Sequence, residues 1–258
     1  MVFKPSKFFA MTTFSEKGHA KNVANLGTLI SAASGFGTGY NPSKPSITLP
    51  ALNSLREEAQ KSLVTLNTSY NNWSVAVEAQ QTRFNGLNVL LTRVLNSVEA
   101  SEVSPAVLNG VKALNKKLQG IRNRKPATSP SPDAAESQEA KTPTSSTSRL
   151  STDSRMENFE KLTQLLAEQP GYHPNEPDLQ LSSLQALLSD FKTNNEAVKT
   201  TQMVLSNARI SRNKLFYDRE TGLVKVASDF KKYVKSVFGA TSPEYKQVSD
   251  VEFTLQKN

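Results

Sequence analysis

The stretch that decides the fold is GYHPNEPDLQLSSLQAL, residues 171–187, because a second version of it, GYNPSKPSITLPALNSL, occupies residues 39–55. The two versions lie at a constant offset of 132 residues, and the glycine, the tyrosine, both prolines and three leucines coincide without a gap. So many coincident turn and core residues indicate an internal duplication. The pattern predicts two helical repeats, which we call copy one (residues 15–122) and copy two (residues 153–258).

Each version begins with what we call the signature turn, residues 39–47 in copy one and 171–179 in copy two. Proline keeps the residue before it out of the α region, so this segment must be extended or turned. Ser46 and Asp178 stand where the N-caps of the following helices are expected, but Pro50 fits only in the first turn of a helix, which favours a start nearer Thr48 in copy one. The residues predicted to build the turn are Gly39, Tyr40, Pro42, Pro45, Gly171, Tyr172, Pro174 and Pro177.

A long helix is predicted to follow the turn in each copy. In copy one, large apolar residues recur at steps of three and four, and neither proline nor glycine interrupts residues 51–85. Such a helix is roughly 50 Å long. Phe216 of copy two lies at the repeat offset from Phe84, so the correspondence spans the whole helix. The predicted class is all-α, with two homologous helical-hairpin or bundle units and a long central helix in each. Whether the units dock as one pseudo-two-fold bundle or sit apart stays open.

Segments of different composition flank the copies. Residues 1–14 are predicted to form an N-terminal arm, with aromatic side chains at Phe3, Phe8 and Phe9. Residues 123–152 are rich in Ser, Thr and Pro and hold too few apolar residues to form a core, which predicts a flexible linker. Ser154 and Glu157 form a capping box that begins copy two. Residues 251–254 alternate apolar and polar side chains, which predicts a terminal strand.

The positive charge of the chain belongs to its first half. Of a net charge of +8, residues 1–125 contribute 15 basic and 6 acidic side chains, whereas residues 153–258 carry 14 of each. The absence of cysteine excludes disulfides, thiolate metal sites and a cysteine nucleophile. No apolar run approaches the roughly 18 residues that a membrane-spanning helix needs. A cytoplasmic protein without a membrane span is predicted.

Three stretches, one of them within the signature turn, carry a resemblance. HAKNVAN (19–25), GYNP (39–42) and SVFGATSPEYKQV (236–248) resemble an uncharacterised family of duplicated helical-repeat proteins from Bacteroidota. The resemblance implies a bacterial source and a shared helical fold. It implies no catalytic or binding residues, because no activity is known for that family.

The two histidines are the first candidates for chemistry. His173 lies near Glu176 and Asp178, which would suit a metal site or an acid–base pair, but copy one has no carboxylate in its signature turn. The turn is therefore interpreted as a structural entry to the long helix, and His19, beside Lys17 and Lys21, is predicted to be solvated. No nucleophile elbow, P-loop or zinc-binding helix motif occurs, so no catalytic residue, metal ligand or cofactor is predicted.

A basic tract ends copy one and is the best candidate for a binding surface. Positive side chains at the end of a helix and in a basic extension could contact a polyanion. Ordinary solvation of a helix end explains the same residues. The tract comprises Lys112, Lys116, Lys117, Arg122, Arg124 and Lys125.

Asn and Gln are frequent along the long helices, which therefore present uncharged hydrogen-bonding faces. The sequence predicts a non-enzymatic helical interaction or scaffold protein whose partner is another protein or a second copy of itself. The alternative is binding of nucleic acid or another polyanion through the basic first copy. A further alternative is an enzyme whose carboxylates are brought together only by folding.

Overall fold

A computed structural model describes residues 17–121 and 151–255 of the chain. Within these ranges the backbone forms α-helices, 3-10 turns and no strand, which confirms the predicted all-α class. Short 3-10 turns at Gly37–Gly39 and Pro45–Ile47 lie in copy one. The helices are α1 (Lys17–Gly35), α2 (Leu49–Arg83), α3 (Leu87–Glu99), α4 (Pro105–Leu118), α5 (Thr152–Ala167), α6 (Leu181–Tyr217), α7 (Leu223–Phe238) and α8 (Pro243–Ser249).

The prediction of a long central helix in each copy is confirmed. α2 has 35 residues and α6 has 37. Pro50 is the second residue of α2, where its missing N–H has no partner in the helix to lose. Gly86, with φ at 78°, then separates α2 from α3 in a left-handed conformation that glycine adopts without strain.

The predicted arm, residues 1–14, and all but the last two residues of the predicted linker lie outside the described residues. The start of copy two differs from the prediction. The hydroxyl of Ser151, not of Ser154, caps α5, and it accepts a hydrogen bond from the N–H of Ser154 at 3.2 Å. Ser151 has an extended backbone that places its oxygen over the first turn, so the helix begins earlier than the capping box indicated.

Contacts divide the chain into two compact units that do not coincide with the two copies. The first compact unit is Met1–Trp73 with Thr201–Asn258, and the second is Ser74–Thr200. The first therefore holds α1 and the start of α2 from copy one with the end of α6, α7 and α8 from copy two. The second holds the end of α2, α3 and α4 with α5 and the start of α6. Each compact unit is built from both copies.

The core of the first compact unit joins α1 to α7. Leu26 and Leu29 of α1 are fully buried, as are Phe230 and Val234 of α7. Phe216, at the end of α6, is buried in the same cluster. Removing such side chains from water is the main favourable term in folding. Neither copy supplies this core alone.

The core of the second compact unit contains an aromatic stack. The rings of Phe84 and Phe191 are parallel with centroids 4.3 Å apart, and Phe159 meets Phe191 edge-on at 5.5 Å. The guanidinium carbon of Arg155 lies 4.5 Å from the centroid of the Phe84 ring, within cation–π distance. Phe84 comes from copy one and the two other rings from copy two.

The first compact unit fills the equivalent space differently. Ala59 and Gly27 stand at the repeat offset from Phe191 and Phe159, so two rings are missing there. The guanidinium carbon of Arg56 lies 3.1 Å from the point where a Cβ on Gly27 would be. An arginine side chain therefore covers the glycine on the side where the second unit has an aromatic ring.

The predicted strand at residues 251–254 is wrong, because the segment after α8 has no regular secondary structure and no strand lies beside it within the described residues. The side chain of Asn22, which is fully buried, takes the role of a partner strand. Its Nδ2 donates to the carbonyl of Thr254 at 2.9 Å, and its Oδ1 accepts from the N–H of Thr254 at 2.7 Å. The alternation arises because Val251 and Phe253 pack on the first core.

Candidate functional site

The signature turn is closed by the same hydrogen bond in both copies. The hydroxyl of Tyr172 donates to the carbonyl of Leu179 at 2.7 Å, and the hydroxyl of Tyr40 donates to the carbonyl of Ile47. Both tyrosines are buried. Burial raises the pKa of Tyr172 to about 12 and raises that of Tyr40 further. The two tyrosines therefore hold their turns as neutral donors.

We expect Tyr172→Phe to lower the free energy of unfolding by about 1–2 kcal/mol, because the carbonyl of Leu179 loses a buried donor. The raised pKa gives a second signature. The contribution of Tyr172 is complete below pH about 10, where an unfolded tyrosine begins to ionise, and it falls as the pH rises towards 12. Urea unfolding at pH 7 and at pH 11 measures both effects. Tyr245→Phe, away from the turns, is the control, and equal losses in the two variants would contradict the expectation.

The N-cap prediction for Ser46 and Asp178 is wrong, whereas the alternative of a helix start nearer Thr48 in copy one is confirmed. α2 begins three residues after Ser46, and α6 begins three residues after Asp178. In copy one Ser46 is the middle residue of the 3-10 turn Pro45–Ile47, which precedes α2. Proline at the start of the segment favours a tight turn before the α-helix begins.

Each signature turn packs against the third helix of the opposite copy. The third helix is α3 in copy one and α7 in copy two. A Cβ on Gly171 would lie 2.3 Å from the backbone oxygen of Glu102, just after α3. A Cβ on Gly39 would lie 3.1 Å from Cζ of Phe238, the last residue of α7. The N–H of Asn41 donates to the hydroxyl of Tyr233 in α7 at 3.0 Å. The turns are thus contact points between the copies.

An ion pair accompanies each of these contacts. In the second compact unit Arg93 of α3 forms a two-point pair with Asp178, with Nη2 and Oδ1 3.1 Å apart. In the first compact unit Nζ of Lys44 lies 2.5 Å from Oδ2 of Asp229 in α7. Hydrogen bonds from Lys225 and Lys44 hold the pKa of Asp229 below its usual value. Asp178, considered above as part of a metal or acid–base group, is therefore engaged by an arginine.

A shallow groove of about 340 Å³ lies beside the turn of copy two in the second compact unit. Leucines of α3 and α6 contribute apolar lining, and Arg83 and Asp178 contribute charged side chains. Arg83 also lies 3.3 Å from Asp190. The lining residues are Arg83, Asn85, Gly86, Leu87, Leu90, Asp178, Ser183, Leu184 and Leu187. The groove brings together no pair of free carboxylates of the kind that acid–base catalysis uses.

The structure describes three residues of the predicted basic tract. Lys112 pairs with Glu99 at 2.8 Å, whereas Lys116 and Lys117 are exposed in the last turn of α4. α4 packs on α5, whose Glu157 has a pKa lowered first by Lys161 and also by the nearby charge of Lys117. Acidic side chains thus lie close to the described part of the tract. Arg122, Arg124 and Lys125 lie outside the described residues, and polyanion binding stays a prediction.

The two histidines differ in their surroundings. His19 was predicted to be solvated, but its ring packs edge-on against Phe216 and Tyr217, with centroids 5.1 and 5.6 Å away. This correction follows because the first compact unit is built from helices of both copies, which brings the start of α1 against the end of α6. His173 is exposed in the turn of copy two. Across residues 17–121 and 151–255, no group of three or more His, Asp or Glu side chains is placed to hold a metal ion.

A candidate surface that the sequence did not single out lies on α6. Met203, Val204 and Ile210 are large apolar residues that are more than half exposed. They fall beside the buried stripe of the helix, which includes Leu205 and Phe216, and apolar spacing alone does not separate the two faces. The signal that could have identified them is that α6 has more apolar residues than a single buried face of a helix can hold.

Comparisons with known proteins add no constraint. No family model matches the chain, and neither a curated protein nor a solved structure is detectably similar to it. The resemblance to the Bacteroidota proteins stays a prediction. Among the described residues, no helix is both long enough and apolar enough to cross a membrane.

Proposed function

We propose that the protein is a non-enzymatic helical interaction protein that binds a protein partner through the exposed face of α6 in the first compact unit. The observation that supports this proposal is the pair Met203 and Ile210, which are 62% and 63% exposed. They are seven residues apart, about two helical turns, so they lie on the same side of α6. Two large apolar side chains aligned on one exposed face favour contact with a partner.

The charge pattern of this face favours a protein over a nucleic acid. From Thr201 to Asn213 the exposed positions of α6 carry no charge; of the two arginines in that interval, Arg212 is buried and Arg209 is half-buried. Interface centres are typically depleted in charge, whereas nucleic-acid surfaces are strongly positive. The exposed residues are Gln202, Met203, Val204, Asn207, Ile210 and Ser211. Apolar anchors two turns apart among uncharged hydrogen-bonding groups suit an amphipathic helix of the partner.

The test replaces Met203 and Ile210 with serine and places a photo-crosslinking amino acid at Asn207, in the centre of the face. We expect partner binding to weaken by about 2 kcal/mol, or roughly thirtyfold in Kd, because buried apolar anchors dominate such interfaces. The crosslinked product formed in cells, and its affinity once purified, are the measurements.

The matched control is Val89→Ser, which removes an equally exposed apolar residue, 66% exposed, from α3 in the other compact unit. Both variants should keep the helical circular dichroism of the native chain, since the replaced side chains are exposed. Equal crosslinking in the double variant, the control and the native chain would contradict the proposal. Crosslinking only to nucleic acid would favour the polyanion alternative.

A further inference from the structure

We propose that charge selects which copies pair: the interface that joins the signature turn to the third helix accepts an unlike copy and rejects a like copy. The partner of each copy is the opposite copy, in the same chain or in a second copy of this chain. The two cross-copy ion pairs, Arg93 with Asp178 and Lys44 with Asp229, provide the selection.

The two ion pairs occupy equivalent positions in the two compact units. Arg93 is the seventh residue of α3, and Asp229 is the seventh residue of α7. Lys44 lies in the turn of copy one, and its repeat equivalent in copy two is Glu176. Asp178 lies two residues after Glu176 in the same turn. The sign of the charge is reversed on both sides of the contact, so the attraction is kept.

Pairing of like copies would bring like charges together. With two copies of the first kind, Arg93 would face Lys44 and Ser46, and the turn would offer no carboxylate. With two copies of the second kind, Asp229 would face Glu176 and Asp178. Like charges at contact distance disfavour an interface, and unlike charges select the correct partner.

The apolar positions of the two third helices coincide in spacing but differ in size at some positions, so an exchange of charges alone is needed to isolate the contribution of charge. Leu87 of α3 and Leu223 of α7 begin their helices and are both buried, and Val98 corresponds to Val234. Val94 of α3 corresponds to the larger Phe230 of α7, and Leu91 corresponds to the smaller Ala227, so the side chains differ in size at two of the four shared buried positions. The Asp229 side chain is only 10% exposed, so solvent and salt screen its pair with Lys44 less than they screen a surface pair.

The test exchanges the charges between the two third helices without changing the composition of the chain. Lys225, which also binds Asp229, corresponds to Val89, so it is exchanged as well. The exchange variant is Val89→Lys, Arg93→Asp, Lys225→Val and Asp229→Arg. A specific protease site within residues 123–150 is cut in the folded protein, and the two pieces are unfolded and refolded together. Native mass spectrometry then counts unlike pairs and like pairs.

The native chain should return almost only unlike pairs. In the exchange variant the acidic side chain at position 93 matches Lys44 of a like copy, and the basic side chain at position 229 matches Asp178. We expect the ratio of like to unlike pairs to rise at least about tenfold, because each ion pair contributes about two- to fivefold to an equilibrium constant and every pair changes sign. An unchanged ratio overturns the proposal.

The control reverses an ion pair within one copy, Glu99→Lys with Lys112→Glu, and should leave the native ratio unchanged. Exchanging the turn charges as well should restore unlike pairing to the exchange variant. The turn exchange is Lys44→Glu, Ser46→Asp, Glu176→Lys and Asp178→Ser. If the exchange variant forms no pairs at all, recovery of unlike pairs by the turn exchange supports the proposal, and failure to recover them overturns it.

Discussion

A chain cut once within residues 123–150 is expected to remain a single particle with the mass of the intact protein. The cut separates copy one from copy two in the sequence, but both cores contain residues from each side of it. Leu26 of the first core packs in one cluster with Phe230, and Leu91 of the second core packs in one cluster with Phe159. Separating the pieces would expose both clusters to water at once, which opposes dissociation.

The measurement inserts a specific protease site into this segment and follows the cut protein by size-exclusion chromatography with light scattering. A denaturing gel should show two pieces, whereas the native column should show one peak. In concentrated urea the pieces should separate, and after dilution they should rejoin. Two independent native peaks would mean that each copy folds by itself, and the composition of the compact units would then be wrong.

Residues 17–121 or 151–255 produced alone should consequently lack stable tertiary structure. Each piece carries long amphipathic helices but only one side of each core, and isolated helices depend on such packing for their stability. This outcome also affects any test of polyanion binding. The basic tract should be examined by Lys116→Ala and Lys117→Ala in the whole chain rather than in fragments.

The sequence was sufficient for the helices because their signals are local. Leucines at steps of three and four, the glycine after α2 and the Ser104–Pro105 start of α4 each depend on nearby residues only. Ser104 Oγ accepts from the N–H of Val107 at 3.4 Å, as an N-cap followed by proline predicts. Local signals therefore located the elements to within a few residues.

The pairing of the helices could not be predicted because the two copies carry nearly the same apolar pattern. The buried positions of α3 recur at the same spacing in α7, so hydrophobic spacing is identical for both arrangements, although Val94 corresponds to the larger Phe230. The contacts that distinguish them join distant residues, such as Lys44 and Asp229, 185 positions apart. Opposite charges at equivalent repeat positions were present in the sequence, but they gain meaning only when the turns and third helices are known to touch.

The exposed face of α6 was missed for a related reason. Met203 and Ile210 contribute to the apolar content of the helix as Leu205 does, and only the packing of the other helices decides which side is covered. His19 shows the converse, because its lysine neighbours in the sequence indicated solvent while the end of α6 supplies an aromatic contact. Both errors concern which surfaces contact each other in the folded chain. Local patterns in a single sequence do not identify those contacts.

Gly171→Ala is expected to lower the free energy of unfolding by about 3 kcal/mol, a large effect for one methyl group. The new Cβ would lie 2.3 Å from the backbone oxygen of Glu102 and 2.9 Å from its carbonyl carbon. The obstacle is backbone rather than a flexible side chain, so the turn of copy two must move away from the end of α3. That movement would also strain the pair between Arg93 and Asp178 and the hydrogen bond of Tyr172.

Two other glycines provide a graded comparison by urea unfolding. Gly39→Ala, at the equivalent position of copy one, meets only the edge of the Phe238 ring at 3.1 Å, and a small ring shift should limit the loss to about 1 kcal/mol. Gly35→Ala, at the end of α1, has no atom within 4 Å of the new Cβ and should change stability by no more than about 0.5 kcal/mol. The order of the three losses in unfolding free energy tests directly whether the two copies pack on each other, because Glu102 belongs to copy one and Gly171 to copy two. If Gly171→Ala were no more costly than Gly39→Ala, the turn of copy two would not rest on the end of α3 in copy one, and the packing assigned to this turn would be wrong.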